Sequence, residues 1–360
     1  MNNFDTLIGL VEQYSPSGQE RGAVEWLIER MNSLGFGEVF VDGAGNAVGV
    51  MGNGPKQVVL LGHIDTVPGE ILVRQDGIPP NEILYGRGSV DAKGPLAGFV
   101  DAVAQVGALE GWQFVVIGAV DEEQDSLGAR FVADKYKPDF AIVGEPNNWD
   151  RVALGYKGSA WANVTVRQEQ THTASGERTA AEAAVDVWSK IKVFVEEYNL
   201  DKKRAFDKIL PTLRGMESRQ DDFEQWARLN IGVRLPREVK PDVWYEKLGD
   251  LTSDNHLKGD RHFTVDRVGY PVPAWECEKN SPLVRAFLSG IRSQGGTPRF
   301  VYKTGTADLN VVAPVWDCPA IVYGPGDSAL DHTPNEHVSL EEYGQAVNVL
   351  VGTLQKLTES

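Results

Sequence analysis

The sequence has very little cysteine, with only Cys277 and Cys318 in 360 residues. Such a low content excludes a disulfide-stapled secreted fold and predicts that the protein works in the reducing cytoplasm. Long apolar runs are missing too, because those present have only the length of a strand, so we expect no transmembrane helix. The N-terminal segment lacks a basic stretch and carries Asp5 and Glu12, so we expect no signal peptide.

Basic residues are scarce relative to acidic ones. The chain has 35 Lys and Arg against 51 Asp and Glu, which gives a formal net charge of −16. Such a charge argues against nucleic acid as a partner. The hydrophobic fraction of 42% is ordinary for a globular protein, and the length allows a large core and two domains.

The most informative stretch combines a buried strand with three acids. Residues 114–120 form a continuous apolar run, which predicts a parallel strand covered on both faces. Asp121, Glu122 and Glu123 follow directly. Three carboxylates in a half-buried position repel one another, and a multivalent cation would remove that repulsion.

Two further predicted strands also end in polar residues. Residues 58–61 lead into His63 and Asp65, and residues 140–143 lead into Glu145. Because ligands of open α/β sheets bind at the carboxyl ends of strands, we expect these side chains and the three acids to meet at one rim. The alternation of side chains along a strand would place Asp65 where it can orient the imidazole of His63. Such a mixture of nitrogen and carboxylate ligands suits zinc, manganese or cobalt.

The middle of the chain has a different pattern. Its predicted order is strand, helix, strand, strand, helix, strand, at residues 160–166, 179–198, 209–216, 227–235, 241–251 and 263–272. This order predicts an inserted ferredoxin-like α+β domain at residues 158–270. Residues 1–157 and 271–360 would form one α/β domain with a central sheet.

Several motifs have two interpretations. Asp91 taken alone is typical of a helix cap, but near His63 and Glu123 it becomes a bridging metal ligand. Residues 324–329 fit a dinucleotide-binding pattern, but the residues after them do not begin a helix, so we exclude it. His332 is more interesting as a fifth ligand. Three of the remaining histidines are predicted to be surface groups, namely His256, His262 and His337. Taken alone, His172 is typical of a surface loop residue.

Five ordered segments resemble the dinuclear zinc M20 peptidase/deacylase family. They are Gly62-His63-Ile64-Asp65-Thr66-Val67-Pro68, Gly86-Arg87-Gly88 through Asp91-Ala92-Lys93-Gly94, Asp121-Glu122-Glu123, Gly144-Glu145-Pro146 and Asp331-His332-Thr333-Pro334-Asn335-Glu336. The resemblance covers essentially the whole chain. It implies a zinc-peptidase-like catalytic domain with a central mixed sheet, and a lid that is also the dimerisation domain.

The resemblance also implies residue roles. Two divalent metal ions, most simply zinc, would be held by His63 and Glu145 on one side and by Glu123 and His332 on the other, with Asp91 as the bridge. Asp65 would support His63, and Glu122 would be the general acid and base. In the inserted domain, His172 matches a lid histidine that reaches an active site, in dimeric members that of the partner. Arg234 matches a position associated with a substrate carboxylate, and Gly305, Thr306, Ala307 and Asp308 match a loop on the substrate side.

Within that family, residues 88–96 and 324–332 most resemble the hydrolases that release lysine or ornithine from an amino-group carrier protein. The resemblance implies hydrolysis of the amide on the side-chain carboxyl of the carrier's terminal glutamate, with the acidic carrier as partner. The alternative inside the family is a deacylase of small N-acylated amino acids, such as acetylornithine, acetyllysine or succinyl-diaminopimelate. A non-catalytic metal-binding or peptide-binding relative is a third interpretation, which the presence of Glu122 disfavours.

Overall fold

The structure, a computed structural model, describes residues 4–170, 172, 174, 176–253 and 261–359. Within these residues the helices, numbered in chain order, are α1 (Asp5–Glu12), α2 (Arg21–Ser33), α3 (Lys93–Val106), α4 (Leu127–Ala133), α5 (Ala180–Asn199), α6 (Pro241–Thr252), α7 (Pro282–Ser293), α8 (Leu309–Trp316) and α9 (Leu340–Thr358). The strands are β1 (Glu38–Val41), β2 (Ala47–Gly52), β3 (Lys56–His63), β4 (Arg74–Asp76), β5 (Ile83–Tyr85), β6 (Trp112–Ala119), β7 (Phe140–Gly144), β8 (Arg151–Tyr156), β9 (Gly158–Glu169), β10 (Leu210–Gln220), β11 (Glu224–Leu235), β12 (His262–Val272), β13 (Trp275–Glu276), β14 (Arg299–Lys303), β15 (Ala320–Val322) and β16 (His337–Ser339). None of the helices in the described part of the chain is long and apolar enough to cross a membrane.

The chain divides into two compact units. The first contains Met1–Gly155, Glu276–Tyr302 and Ala307–Ser360, and the second contains Tyr156–Trp275 and Lys303–Thr306. The sequence predicts residues 158–270 for the inserted domain. The second unit instead begins at Tyr156, ends at Trp275 and also contains Lys303–Thr306. A backbone hydrogen bond holds this short segment in the second unit, because the Lys157 amide donates to the Gly305 carbonyl at 3.1 Å.

A mixed sheet forms the centre of the first unit. Its strand order is β1-β2-β6-β3-β7-β15-β8-β13, and β14 pairs with β8. The four strands β6, β3, β7 and β15 run parallel, whereas β2 and β8 join them antiparallel. The three strands predicted before the polar residues are therefore neighbours, and their carboxyl ends lie at one edge.

Helix α3 packs directly against the parallel strands near that edge. A Cβ atom on Gly144 would lie 2.9 Å from the ring of Phe99, and one on Gly62 would lie 3.1 Å from Leu96. Glycine at these two strand ends therefore allows the helix to approach the sheet closely. The contact holds the strand ends, and the polar residues after them, in fixed positions.

The second unit has the predicted order β9-α5-β10-β11-α6-β12. Its antiparallel sheet has the strand order β10-β11-β9-β12, which is the arrangement of a ferredoxin-like fold. Helix α5 begins with a capping box, in which Thr179 and Glu182 satisfy each other's backbone amides. Alternate residues of β9 and β11 are buried with apolar residues of α5 and α6, so both helices pack on one face of the sheet.

Candidate metal centre

The carboxyl end of β3 places His63 at the rim of the parallel sheet. The side chain is 1% exposed, and its Nε2 lies 3.2 Å from Oδ1 of Asp91. Its Nδ1 lies 3.0 Å from the backbone carbonyl of Asp65 and 3.5 Å from the carboxylate of the same residue. Strand β3 ends at His63, so strand alternation does not extend to Asp65, and its backbone carbonyl is the nearer partner of the imidazole.

The Asp65 carboxylate instead anchors the turn after β6. It accepts hydrogen bonds from the backbone amides of Glu122 and Glu123, each at 3.1 Å, and from the Ser17 hydroxyl at 2.7 Å. Asp121 begins this turn in the left-handed region, with φ of 67°. Asp65 thus connects the end of β3 to the two adjacent glutamates and fixes where their side chains begin.

Asp91 lies between two imidazoles. Its Oδ2 is 3.1 Å from Nε2 of His332, which in turn lies 3.2 Å from Oε1 of Glu123. The capping interpretation of Asp91 was wrong, since the N-cap of α3 is Ala92. Asp91 precedes the helix and directs its carboxylate towards His63 and His332 instead.

The predicted ligands of the first unit are brought together in overlapping groups. In each group one donor atom from every residue lies within 4.8 Å of the others, and the groups are His63 with Asp91 and Glu145, Asp91 with Glu123 and His332, and His63 with Glu122 and Glu123. His63, Asp91 and Glu123 each belong to two of these groups, and Asp91 is the one whose two carboxylate oxygens face separate imidazoles, those of His63 and His332.

The pKa shifts of the clustered side chains indicate which charge the cluster needs. Burial raises the pKa of Glu122 and of Glu145 well above the usual range, and neighbouring carboxylates add to the effect. Hydrogen bonds to Asp91 and Glu123 raise the pKa of His332 to about 10. Burial opposes a charge on His63, but its hydrogen bonds to Asp65 and Asp91 prevail and raise its pKa well above the usual range.

The donor set therefore fits a divalent cation. Buried carboxylates held this close repel one another, and a bound cation would replace the protons that otherwise relieve the repulsion. Imidazole nitrogens combined with carboxylate oxygens suit zinc, cobalt or manganese.

A buried ion pair joins two of the ligand-bearing segments. Glu336 is 0% exposed, and its Oε2 accepts a hydrogen bond from Nη1 of Arg87 at 2.7 Å. Its Oε1 accepts the backbone amides of Val90 and Asp91, each at 3.0 Å. One carboxylate thus connects the segment that carries His332 to the backbone of Asp91. In the sequence, only the position of Glu336 shortly after His332 pointed to such a role.

Asp308 is a further buried carboxylate whose importance the sequence did not reveal. It is 2% exposed, and the Ser126 side chain is a neighbour that acts to lower its pKa. Burial raises its pKa to about 7, and the carboxylates of Asp65 and Asp121 add to this. Its charge also acts on Glu122 and Glu145, so it belongs to the surroundings of the cluster. The resemblance had placed it only in the substrate-side loop.

The remaining predicted site residues lie in the second unit. Nη1 of Arg234 donates a hydrogen bond to the Thr306 hydroxyl at 2.7 Å, and Gly305 accepts the Lys157 amide as described above. His172 is exposed, and its Nδ1 accepts the backbone amide of Ala174 at 3.1 Å.

The histidines that we predicted to be surface groups differ from one another. His262 is exposed, whereas His337 is half-buried with its ring centre 4.9 Å from that of Tyr85. His256 lies outside the described residues.

Comparisons with known proteins found relatives over nearly the whole chain. The sequence pattern of peptidase family M20/M25/M40 matches residues 59–356. A LysW-lysine hydrolase of Deinococcus radiodurans is 42% identical to this chain over 357 residues, which cover 95% of this chain and 93% of the relative. A putative LysW-lysine/LysW-ornithine hydrolase of Thermococcus kodakarensis is 40% identical and covers 97% of this chain and 90% of its own.

Solved structures share the fold. A tripeptidase from Staphylococcus aureus superimposes with a TM-score of 0.79 at 17% identity, over 99% of this chain and 98% of its own. A metallo-carboxypeptidase of the M20 family from Sulfolobus solfataricus has a TM-score of 0.76 at 17% identity, with both chains covered completely. The mixed α/β architecture is therefore that of known M20 peptidases. Because the family pattern spans most of the sequence and the relatives match nearly its whole length, this chain belongs to peptidase family M20/M25/M40.

Proposed function

We propose that this chain is a metal-dependent hydrolase that releases lysine or ornithine from an acidic amino-group carrier protein. The observation that carries the proposal is the 42% identity to a LysW-lysine hydrolase over nearly the full length of both chains. Further relatives that share 36–40% identity are named as putative LysW-lysine/LysW-ornithine hydrolases. The cluster of nitrogen and carboxylate donors supplies the metal site that such an enzyme requires.

The overlapping groups support separate roles for the ligands. We propose that His63, Asp91 and Glu145 hold one divalent ion, and that Asp91, Glu123 and His332 hold the other, with Asp91 shared. Zinc is the ion that the donors suit best, and cobalt or manganese are alternatives. When bound, two such ions polarise a carbonyl group and lower the pKa of a water molecule towards neutrality.

Glu122 is the proposed general base and acid. It adjoins the ligand Glu123 but is not needed in either of the two proposed ligand sets. Its carboxylate would take a proton from the water that attacks the amide carbonyl carbon, and it would return a proton to the nitrogen as the carbon–nitrogen bond breaks. The raised pKa of Glu122 suits this cycle, because the group must be neutral between the two transfers.

The other residues would position these groups. Asp65 holds the turn that carries Glu122 and Glu123, and its contact with the imidazole fixes the ring of His63. From the second unit, His172 would donate a hydrogen bond to the carbonyl oxygen as negative charge develops on it. Arg234, with Gly305 and Thr306 beside it, would bind a carboxylate of the substrate.

The cellular compartment of the reaction follows from the proposed function. Release of a free amino acid from a carrier is a biosynthetic step, and we propose that it takes place in the cytoplasm. The free cysteines Cys277 and Cys318 are compatible with a reducing compartment.

One assay with three substrates tests the proposal. Enzyme reconstituted with zinc or cobalt is given a carrier–lysine conjugate, a carrier–ornithine conjugate and Nα-acetylornithine, and released amino acid is quantified by mass spectrometry. We expect rapid cleavage of at least one conjugate and slow or undetectable cleavage of acetylornithine. Efficient hydrolysis of acetylornithine with inert conjugates would assign the protein to the small-molecule deacylases instead. A matched control is the Glu122→Gln variant, which should cleave none of them at an appreciable rate.

A further inference from the structure

A single buried side chain joins the two ends of the loop that carries Glu122 and Glu123. Asn46 directly precedes β2 and is 0% exposed. Its Oδ1 accepts the backbone amide of Val120 at 3.0 Å, and its Nδ2 donates to the Gly128 carbonyl at 3.2 Å. Val120 follows β6 and Gly128 is the second residue of α4. One side-chain amide therefore connects the beginning of the loop to its end.

The two ends of this loop lie close together. The Gly128 amide donates to the Val120 carbonyl at 3.0 Å. A Cβ atom on Gly128 would lie 2.2 Å from Oδ1 of Asn46, so the close approach requires glycine. Asn46 is itself held by Asp42, whose Oδ2 accepts its Nδ2 at 2.8 Å and whose Oδ1 accepts its backbone amide at 3.0 Å. The oxygen and the nitrogen of the Asn46 amide thus each face the matching kind of partner, which fixes its orientation.

The loop needs such a constraint because part of its backbone is strained. Asp121 and Ser126 have φ of 67° and 51°, a left-handed conformation that costs free energy in residues other than glycine. Such conformations persist only where the surrounding contacts enforce them. The hydrogen bonds of Asn46 lie on both sides of the two strained residues, and Asp65 holds backbone amides between them.

The two glutamates of the loop depend on its backbone to different degrees. The direction in which a side chain leaves the chain is set by the φ and ψ angles around it, and not by its amide alone. The Glu123 carboxylate lies 3.2 Å from Nε2 of His332, and as a proposed ligand it would also be held by a metal ion. Glu122 has no place in the proposed ligand sets, so its position depends more strongly on the loop.

We propose that Asn46 is a positioning residue for Glu122, on which it acts through the backbone of this loop. The inference rests on the proposed function, in which Glu122 moves the proton during amide hydrolysis. Displacing a reacting group by about 1 Å can lower the rate on the order of 10²-fold. Asn46 therefore supports kcat and contributes little to substrate binding.

A double-mutant cycle tests whether Asn46 acts through Glu122. With zinc in excess and a carrier–lysine conjugate as substrate, Asn46→Ala should lower kcat by roughly 10- to 100-fold with little change in KM. In the Glu122→Gln background the same substitution should lower kcat by less than about twofold, because the group that it positions is already gone. Losses that multiply in the double variant would overturn the inference, and so would an unchanged kcat in Asn46→Ala.

Two further variants separate positioning from overall stability. Asp42→Ala keeps Asn46 but removes the carboxylate that orients it, so we expect a smaller loss of kcat, and this variant replaces Asn46→Ala in the cycle if the latter does not fold. Tyr343→Phe is the matched control, because it removes a buried hydrogen bond to Asp101 of 2.6 Å in the same unit and should leave kcat unchanged. Elemental analysis accompanies each rate. A loss of activity that only matched a loss of metal would overturn the positioning role.

Hydrogen exchange separates this inference from the proposed function. In metal-loaded Asn46→Ala the backbone amides of residues 120–128 should exchange faster than in the wild type, whereas in Tyr343→Phe they should exchange as in the wild type. Equal exchange in Asn46→Ala and the wild type would overturn the inference alone. Near-normal turnover by Glu122→Gln, or cleavage of no carrier conjugate by the wild type, would instead overturn the proposed function.

Discussion

Glu122 and Glu123 are neighbours in sequence, but the turn after β6 gives their side chains different surroundings. Asp65 accepts both of their backbone amides, so the two side chains leave the backbone from fixed points. The Glu123 carboxylate lies 3.2 Å from His332, whereas Glu122 is half-buried, and burial together with neighbouring carboxylates raises its pKa. Adjacent residues can therefore have separate roles, one as ligand and one as base.

Substitution by glutamine should separate these roles. Glu122→Gln keeps the shape of the side chain, so we expect it to retain bound metal while kcat falls by about 10²–10⁴-fold, as for a lost general base. Glu123→Gln removes a charged ligand, so we expect it to lose metal on dialysis. Elemental analysis of both variants, beside steady-state rates, measures the difference. Near-normal turnover by Glu122→Gln would show that another group moves the proton.

At this scale the sequence predicted which residues come together better than it predicted their individual contacts. The recognisable motif segments contain four of the predicted ligands, and the structure places these side chains in overlapping groups. They are His63, Asp91, Glu145 and His332. The anchoring of the turn by Asp65 was not predictable, because it depends on the backbone amides of Glu122 and Glu123, which lie 57 and 58 residues further along the chain. Local patterns carry no information about such pairings.

At the scale of elements, the loop before α3 and the segment after His332 are joined by Glu336. The carboxylate receives Arg87 and two backbone amides in a site with almost no exposure to solvent. Removing one partner of a buried ion pair lowers the free energy of unfolding, because the remaining charge is left buried without compensation. The loop geometry around Asp91 therefore depends on a residue that binds no metal.

We expect Glu336→Gln to weaken metal binding by roughly 10- to 100-fold, as substitutions of residues that support a ligand commonly do. Competition with a chromophoric chelator measures the affinity, and circular dichroism checks that the fold is retained. Arg167→Met is the matched control, because it breaks an exposed ion pair with Glu224 far from the ligands in sequence. Unchanged affinity in a folded Glu336→Gln enzyme would contradict the positioning role.

In the second unit, Lys157 plays the corresponding part by connecting separate segments of the chain. The residue is 0% exposed, and its Nζ donates hydrogen bonds to the backbone carbonyls of Phe206 at 2.9 Å, of Ala205 at 3.4 Å and of Lys208. These carbonyls belong to the short 3-10 helix Ala205–Asp207 and the residue after it. One buried lysine thus holds the connection between α5 and β10 against the start of β9.

Lys157→Met should destabilise the second unit by about 2–5 kcal/mol, because three buried carbonyls lose a charged donor. Urea denaturation followed by circular dichroism measures the change. The exposed Lys203→Met is the matched control and should shift the free energy of unfolding by less than about 0.5 kcal/mol. Equal stability of the two variants would mean that water replaces the lysine without cost.

At the scale of the whole molecule, the sequence predicted the order of elements but not every boundary. Periodic apolar patterns identified the parallel strands and the inserted strand–helix order, because both depend on burial of one face. The return of Lys303–Thr306 to the second unit has no such signal, since its contacts include individual hydrogen bonds with Lys157 and Arg234. Short segments that bind through their backbone leave no periodic pattern.

The last prediction concerns His172, which lies in the second unit while every proposed metal ligand lies in the first. Its side chain is exposed, so it is available to a neighbouring chain. We propose that the protein is a homodimer in which His172 of one chain completes the site of the other. Mixing His172→Ala chains with Glu122→Gln chains, each nearly inactive alone, should then restore about a quarter of wild-type activity after random exchange, because half the dimers are mixed and each has one intact site.

The control for this experiment combines two substitutions that both lie in the first unit. A mixture of Glu122→Gln and Glu123→Gln chains should recover nothing, since each site of a mixed dimer would still carry one of the lesions. Tagged chains and affinity capture establish that mixed dimers have formed. If they have formed and the His172→Ala mixture stays inactive, His172 acts within its own chain or has no part in the reaction. Recovery would show instead that the active site needs two chains. In that case we expect that dissociating the dimer by dilution abolishes turnover while the metal stays bound.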